Sequence, residues 1–363
     1  MNKIGKNLKS KNRKEINYSK KNKISRIIKI LFILILSYIY YKKKTSIKSN
    51  KLVIQVDISK SKQGKDGPII LQRGISKALP YETKYCKFIP ANGIYPNDIK
   101  YIDYFFFSIP SMNEKLYNKW IKINRVNSLL LGPNFVPMRW YKFPDTNVWH
   151  ERKFKEILSE VKGVVVHSNR VRNHLMIKSN TKDLFNKYIL SRSCSYNLPN
   201  VIKPFQEREN DIILFQKYAD SDHSKQGKQL LSLLKGTNKK IKQLNYGNYT
   251  REDELLLANN SKFIIYFSFY DTGAIALKEL QNYGVITFTL QKDLVINDES
   301  GYYIPELELD DITLAFNKII KIIEEISNKN PDSIKIAKQN QNFNRCERAL
   351  DDICNNIIKK KKI

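Results

Sequence analysis

Apolar runs of strand length, separated by stretches long enough for a helix, recur along this chain and restrict its fold more than any other feature. KLVIQVDI, YFFFSIP, NSLLLGPNFVP and VKGVVVHS form a first series. DIILFQKY, KKIKQLNYG, KFIIYFS and VITFTL form a second. Continuous apolar strands are buried on both faces, and alternation with helices predicts parallel sheets covered on each side. VRNHLMIK, KQGKQLLSLLKG and REDELLLANN read as helices between them. The proline-bearing, polar LPNVIKPFQEREN, residues 198–210, separates the series as a linker. The expected architecture is therefore two Rossmann-like doubly wound domains facing across a cleft, residues 51–203 and 204–330. A helix and basic tail, residues 331–363, follow.

The net charge of +29 suggests a nucleic-acid partner until it is located. Residues 1–51 hold sixteen Lys or Arg against one Glu, and KKKKI closes the chain, leaving about +10 over the remaining body. The charge thus belongs to the tails, and no zinc spacing, RNP-like aromatic strand or helix-turn-helix pattern accompanies it. No nucleic-acid partner is expected. Residues 27–41, IIKILFILILSYIYY, lie between basic runs and resemble a signal anchor, though a span needs about 20 residues. No small-residue cleavage site follows them. Ten Lys or Arg precede this segment, which favours a cytosolic tail (1–26), a stem (42–50) and a luminal body. Single-pass, type II membrane association is the expectation.

Cys86, Cys194, Cys346 and Cys354 form no CxxC. Cys346 and Cys354 sit about 12 Å apart along a helix, too far to bridge to each other. All four read as free thiols.

The informative stretch is SFYDTGAIALKELQNYGVITF, residues 268–288. A helix starting near Thr272 or Gly273, directly after a strand, would turn free backbone N–H groups and a positive dipole end toward an anion such as a phosphate. Glu279 would stand two turns further on, and Gly284 fits the helix's carboxyl-terminal cap. Spacing alone also allows Asp271 as a simple N-cap and Glu279 as a solvated residue.

The wider pattern resembles family 4-type glycosyltransferases of the GT-B fold. Asp271-x7-Glu279, then NYGVITF and NDESGYYI, are similar to that family's E-x7-E motif and the segments after it. VVVHSNRVRNHL is similar to its last amino-terminal strand and helix. The resemblance covers roughly residues 51–330 and is clearest over 211–306. It implies a retaining transfer of a sugar from a nucleotide-sugar donor to a glycan, protein or lipid acceptor. Glu279 would bind the donor's ribose hydroxyls, and Asp271 would lie by the donor sugar. Thr272, Gly273 and Ala274 would offer backbone amides. Lys217 and Lys225 would offset the charge of the leaving diphosphate. Gly247, with Gly64 and Gly67 of the first βα loop, joins the donor-binding candidates. Asn134 and His167 are the acceptor-side candidates. Two departures stand out: Asp271 replaces the family's first glutamate, and its usual amino-terminal histidine is not evident. No cofactor and no metal are expected, and Asp220-Ser221-Asp222 reads as a surface loop, not a metal motif. The alternative reading is a non-catalytic, membrane-anchored scaffold or binding protein of the same fold.

Overall fold

A computed structural model describes residues 29–35, 37, 51–57, 67–91, 102–107, 122–132, 148–196, 198–217, 224–245, 248–268, 273–307 and 311–361. Residues 29–35, within the expected anchor, are helical and exposed. Among the described residues no helix is long and apolar enough to cross a membrane. The basic tail, the stem and the rest of the anchor segment lie outside the described residues.

From Leu52 onward the chain forms one compact unit built on two sheets. The first contains β1 (Leu52–Asp57), β2 (Tyr81–Glu82), β3 (Cys86–Ala91), β4 (Tyr104–Phe107), β5 (Leu129–Leu131), β6 (Gly163–Val166) and β7 (Tyr188–Leu190). Its order is β2-β3-β1-β4-β5-β6-β7, parallel except for the short β2. The second contains β8 (Asn210–Gln216), β9 (Ile241–Asn245), β10 (Ser261–Phe267), β11 (Ile286–Thr289) and β12 (Gly301–Tyr303). Its order is β12-β11-β10-β8-β9, parallel throughout.

The apolar runs explain this arrangement. In β10, Phe263, Ile264, Ile265, Tyr266 and Phe267 are all buried, because layers cover both faces of the sheet. Leu214 and Phe288 reach one core, and Phe215 and Tyr266 the other. Helices α1 (Gly67–Ala78), α2 (Val148–Glu160) and α3 (Asn169–Lys178) connect strands of the first sheet. Helices α4 (Ser224–Lys235), α5 (Arg251–Asn259) and α6 (Ile275–Gln281) connect those of the second. α7 (Ile312–Lys329), α8 (Ser333–Asn344) and α9 (Cys346–Lys361) follow.

α9 returns to the first sheet. Leu350, Ile353 and Ile357 enter the core that holds Ile54 and Phe88. Its polar side chains meet backbone groups at and beside the edge strand β7: Asn356 Nδ2 donates to Leu190 O at 2.9 Å, and Lys360 Nζ to Tyr188 O at 3.1 Å. Asp352 accepts from Arg192 Nε at 2.8 Å and Nη2 at 3.1 Å. An edge covered in this way offers no unpaired template to another chain.

The cysteine expectation is corrected here. Cys86 is bonded to Cys354 and Cys194 to Cys346, at Cα separations of 6.0 and 5.0 Å, and no cysteine is free. Each cysteine of α9 finds its partner in the segment that builds the first sheet and its exit, instead of in its own helix. Both bridges tie α9 to the layer beneath it.

Candidate active site

In an open α/β sheet, ligands bind beyond the carboxyl ends of the strands where the strand order reverses. In the second sheet that point lies between the adjacent strands β8 and β10. Lys217 follows β8, and its backbone N–H donates to Phe267 O at 3.2 Å. Ser268 follows β10, with its carbonyl accepting from Gln291 Nε2 at 2.8 Å. Gln216, which ends β8, is buried against α4. A Cβ on Gly227 would stand 2.0 Å from its amide nitrogen, so a larger residue there would have to displace the Gln216 side chain.

The helix after β10 starts later than its sequence suggests. Its N-cap is Ala274, in the left-handed region at φ 45° and ψ 41°, without a side-chain cap. That backbone turn delays the helix to Ile275 and leaves it seven residues long. Gly273 lies in the bend ahead of it, where an added Cβ would come 3.1 Å from His167 Cδ2. A histidine at the end of a first-sheet strand thus abuts the loop that enters α6. His167 Nδ1 donates to Ser191 O at 3.0 Å, which sets its tautomer, since a carbonyl can only accept. A second junction lies nearby, where Asn169 N–H donates to Asp293 Oδ2 at 2.9 Å.

Glu279 does not occupy a solvated helix face. It is 1% exposed, and its Oε1 accepts from Arg251 Nη2 and from Ser195 Oγ, the latter at 3.4 Å. Arg251 Nη1 donates to Tyr196 Oη at 3.3 Å, and its guanidinium lies 5.2 Å from the centre of that ring. Lys77 of α1 places its ammonium 4.4 Å from the same ring. Arg251 is the first residue of α5. Thr250 caps that helix by accepting from Asp253 N at 3.1 Å, while Asp253 Oδ2 accepts from Thr250 N at 3.4 Å. This reciprocal cap fixes where the first turn points its side chains.

The same turn carries Glu254, which is buried, with no hydrogen-bond partner for its Oε1 among the described residues. Burial, followed by the Glu279 charge, pushes its carboxyl up to about 8, against the pull of Arg251 and Lys217. Burial also raises Glu279, to about 7, opposed by Arg251 and by the Ser195 hydroxyl. Two carboxyls and one guanidinium, with Lys217 acting on Glu254, therefore share one poorly solvated place. Perturbed groups of this kind, on the side of the sheet where the strand order reverses, make this the candidate binding site.

Of the expected site residues, the structure joins His167 with Gly273 and gives Glu279 its partners. Lys225 is exposed on the first turn of α4, and Gly67 begins α1. Asp271, Thr272, Gly247, Gly64, Asn134, Asp220 and Asp222 lie outside the described residues. Sequence reasoning missed Arg251, Glu254, Ser195 and Tyr196. The Thr250-x-x-Asp253 pair signals the start of α5, but nothing local signals which of its charged residues turns inward.

Neither a family model nor a curated protein matches this sequence. Solved structures do. The catalytic domain of starch synthase IV from Arabidopsis thaliana, bound to ADP and acarbose, is 8% identical, with a TM-score of 0.50. The match covers 86% of this chain and 100% of that one. Sucrose-phosphate synthase from Thermosynechococcus elongatus is 11% identical over 86% of this chain and 98% of its own, with a TM-score of 0.49. A TarM variant from S. aureus is 12% identical over 71% and 54% of the two chains, with a TM-score of 0.43. The likeness to starch synthase IV shows the fold: two parallel α/β sheets in the GT-B arrangement.

Proposed function

We propose that this chain is a glycosyltransferase that moves a sugar from a nucleotide-sugar donor to a glycan, protein or lipid acceptor. The observation that carries the reading is Glu279, a buried carboxylate held by Arg251 and Ser195 beside the reversal point of the second sheet. An acceptor group in that position suits the vicinal hydroxyls of a ribose. Asp271 and the amides of Thr272, Gly273 and Ala274 take the donor sugar, and Lys217 and Lys225 take the diphosphate. His167, against Gly273, is the acceptor-side candidate. The starch synthase domain of like fold is bound to ADP, a nucleoside diphosphate of the class proposed here.

The transfer proceeds with retention and without a metal, with lysines and backbone amides stabilising the leaving diphosphate. The chain is a type II membrane protein with a luminal body. The two disulfides support that placement, because such bonds persist in oxidising compartments. Isothermal titration of a panel of UDP-, GDP- and ADP-sugars tests the core of the reading. Saturable binding of one donor, followed by slow donor hydrolysis without acceptor, is the expected result; no binding by any donor refutes it.

A further inference from the structure

We infer that Arg251 is a positioning residue of the donor site: it holds Glu279 as a charged double acceptor, aimed for the donor's ribose. The inference rests on the donor-binding role proposed above for Glu279.

A carboxylate 1% exposed is costly unless paired, and it takes up a proton when its cation is removed. A protonated Glu279 presents one donor and fewer acceptors, a mismatch to two ribose hydroxyls that both donate. Among the described residues Glu279 has two side-chain partners. The Ser195 hydroxyl, at 3.4 Å, is a long and weak one. The guanidinium of Arg251 is the strong one.

Arg251 is itself held at both ends. One nitrogen is taken by Glu279 and another by the Tyr196 hydroxyl, with the tyrosine ring beneath the guanidinium. The capped first turn of α5 anchors its backbone. A planar, permanently charged fork makes these contacts together, which a single ammonium cannot.

Among the described residues, charged groups near the pair stand on several elements. Glu254 stands on α5, Lys217 follows β8, and Lys77 of α1 lies across Tyr196. Lys278, on α6 itself, is buried with its ammonium 5.4 Å from the Phe343 ring centre. Of these, Glu254 titrates close to Glu279, so the test removes it.

Glu254→Gln therefore serves as the reference chain, titrated with UDP, GDP and ADP from pH 6.5 to 9.5. Its affinity for the preferred diphosphate should be level above pH 8. Adding Arg251→Met should weaken binding tenfold or more at pH 8, with affinity then climbing at each step to pH 9.5. Arg251→Lys should fall between the two. Adding Glu279→Gln to Arg251→Met should abolish the alkaline recovery. Binding by Arg251→Met equal to the reference at pH 8 would overturn the inference. So would a loss of the same size at every pH, which means that Arg251 touches the ligand itself or only supports the fold. If Arg251→Met does not fold, as judged by its melt, a flat pH profile in Arg251→Lys overturns it equally. Binding that Glu279→Gln leaves unweakened removes the donor role of Glu279 and the inference with it. No binding of any diphosphate by the wild-type chain, titrated alongside the reference, overturns both readings.

Discussion

Breaking the bridge between Cys194 and Cys346 should loosen the hold of α9 on the first sheet. The two cysteines are 152 residues apart, and Cys86 and Cys354 are 268 apart. In the chain-entropy treatment, closing a loop of the first length restricts the unfolded chain by about 5 kcal/mol at 25 °C. The remaining bridge offers a shorter route between Cys194 and Cys346, so the second closure contributes somewhat less. Cys194→Ala/Cys346→Ala should therefore lose about 3–5 kcal/mol in urea unfolding followed by circular dichroism. TCEP on the wild-type chain should cost at least as much. Mass spectrometry of an unreduced digest should recover the two crossed peptide pairs. Four thiols reacting with Ellman's reagent in guanidinium, with no reductant present, would refute the pairing. A double variant within about 1 kcal/mol of wild type would refute the energetic argument.

Glu279→Gln keeps the side chain's shape but removes its charge and turns one acceptor into a donor. Donor affinity measured by calorimetry should fall roughly ten- to hundredfold, whereas Glu252→Gln, on the exposed side of α5, should change neither binding nor melting. Gly284 has φ 73°, and a Cβ there would stand 2.1 Å from Ser333 O, so Gly284→Ala should cost about 3 kcal/mol or more in urea unfolding. Glu254 is held near 8 when folded against an ordinary 4.5, so the folded chain keeps a proton that the unfolded chain has lost. Unfolding free energy should accordingly decline from pH 4.5 to 8, by up to about 1.4 kcal/mol per pH unit from this group, and Glu254→Gln should reduce that decline to the smaller part that the raised Glu279 contributes. EDTA should leave sugar transfer unchanged; activity lost and then restored by Mn²⁺ would point to Asp220 and Asp222 and against the proposed charge stabilisation.

The alternation of strands and helices was legible because it is a local property. Whether KFIIYFS suits a strand buried on both faces depends on seven consecutive side chains, whatever surrounds them. Gly284 was legible for a similar reason: the chain must turn with positive φ between α6 and β11, and glycine is the residue that does so readily. Less regular segments hid their strands. CKFIPA carries a proline and a lysine, yet forms β3 because it pairs along the whole of β1. The late start of α6 was equally hidden, since a left-handed Ala274 has no sequence signature.

Other features were decided only by the packing of distant segments. Nothing near Cys346 names Cys194 as its partner; the pairing follows from α9 crossing back onto the first sheet. The Asp271-x7-Glu279 spacing singled out Glu279, but it left open whether that carboxyl faces water or protein. Burial was settled when α6 packed beside α5, whose first turn brought Arg251 to it, and when the segment after β7 brought Ser195 and Tyr196. Arg251 and Glu279 lie 28 residues apart and on different helices. Periodicity reports which face of a segment is apolar, whereas the energy of a charge depends on the water excluded and the partner supplied by other segments, and only the folded chain fixes both.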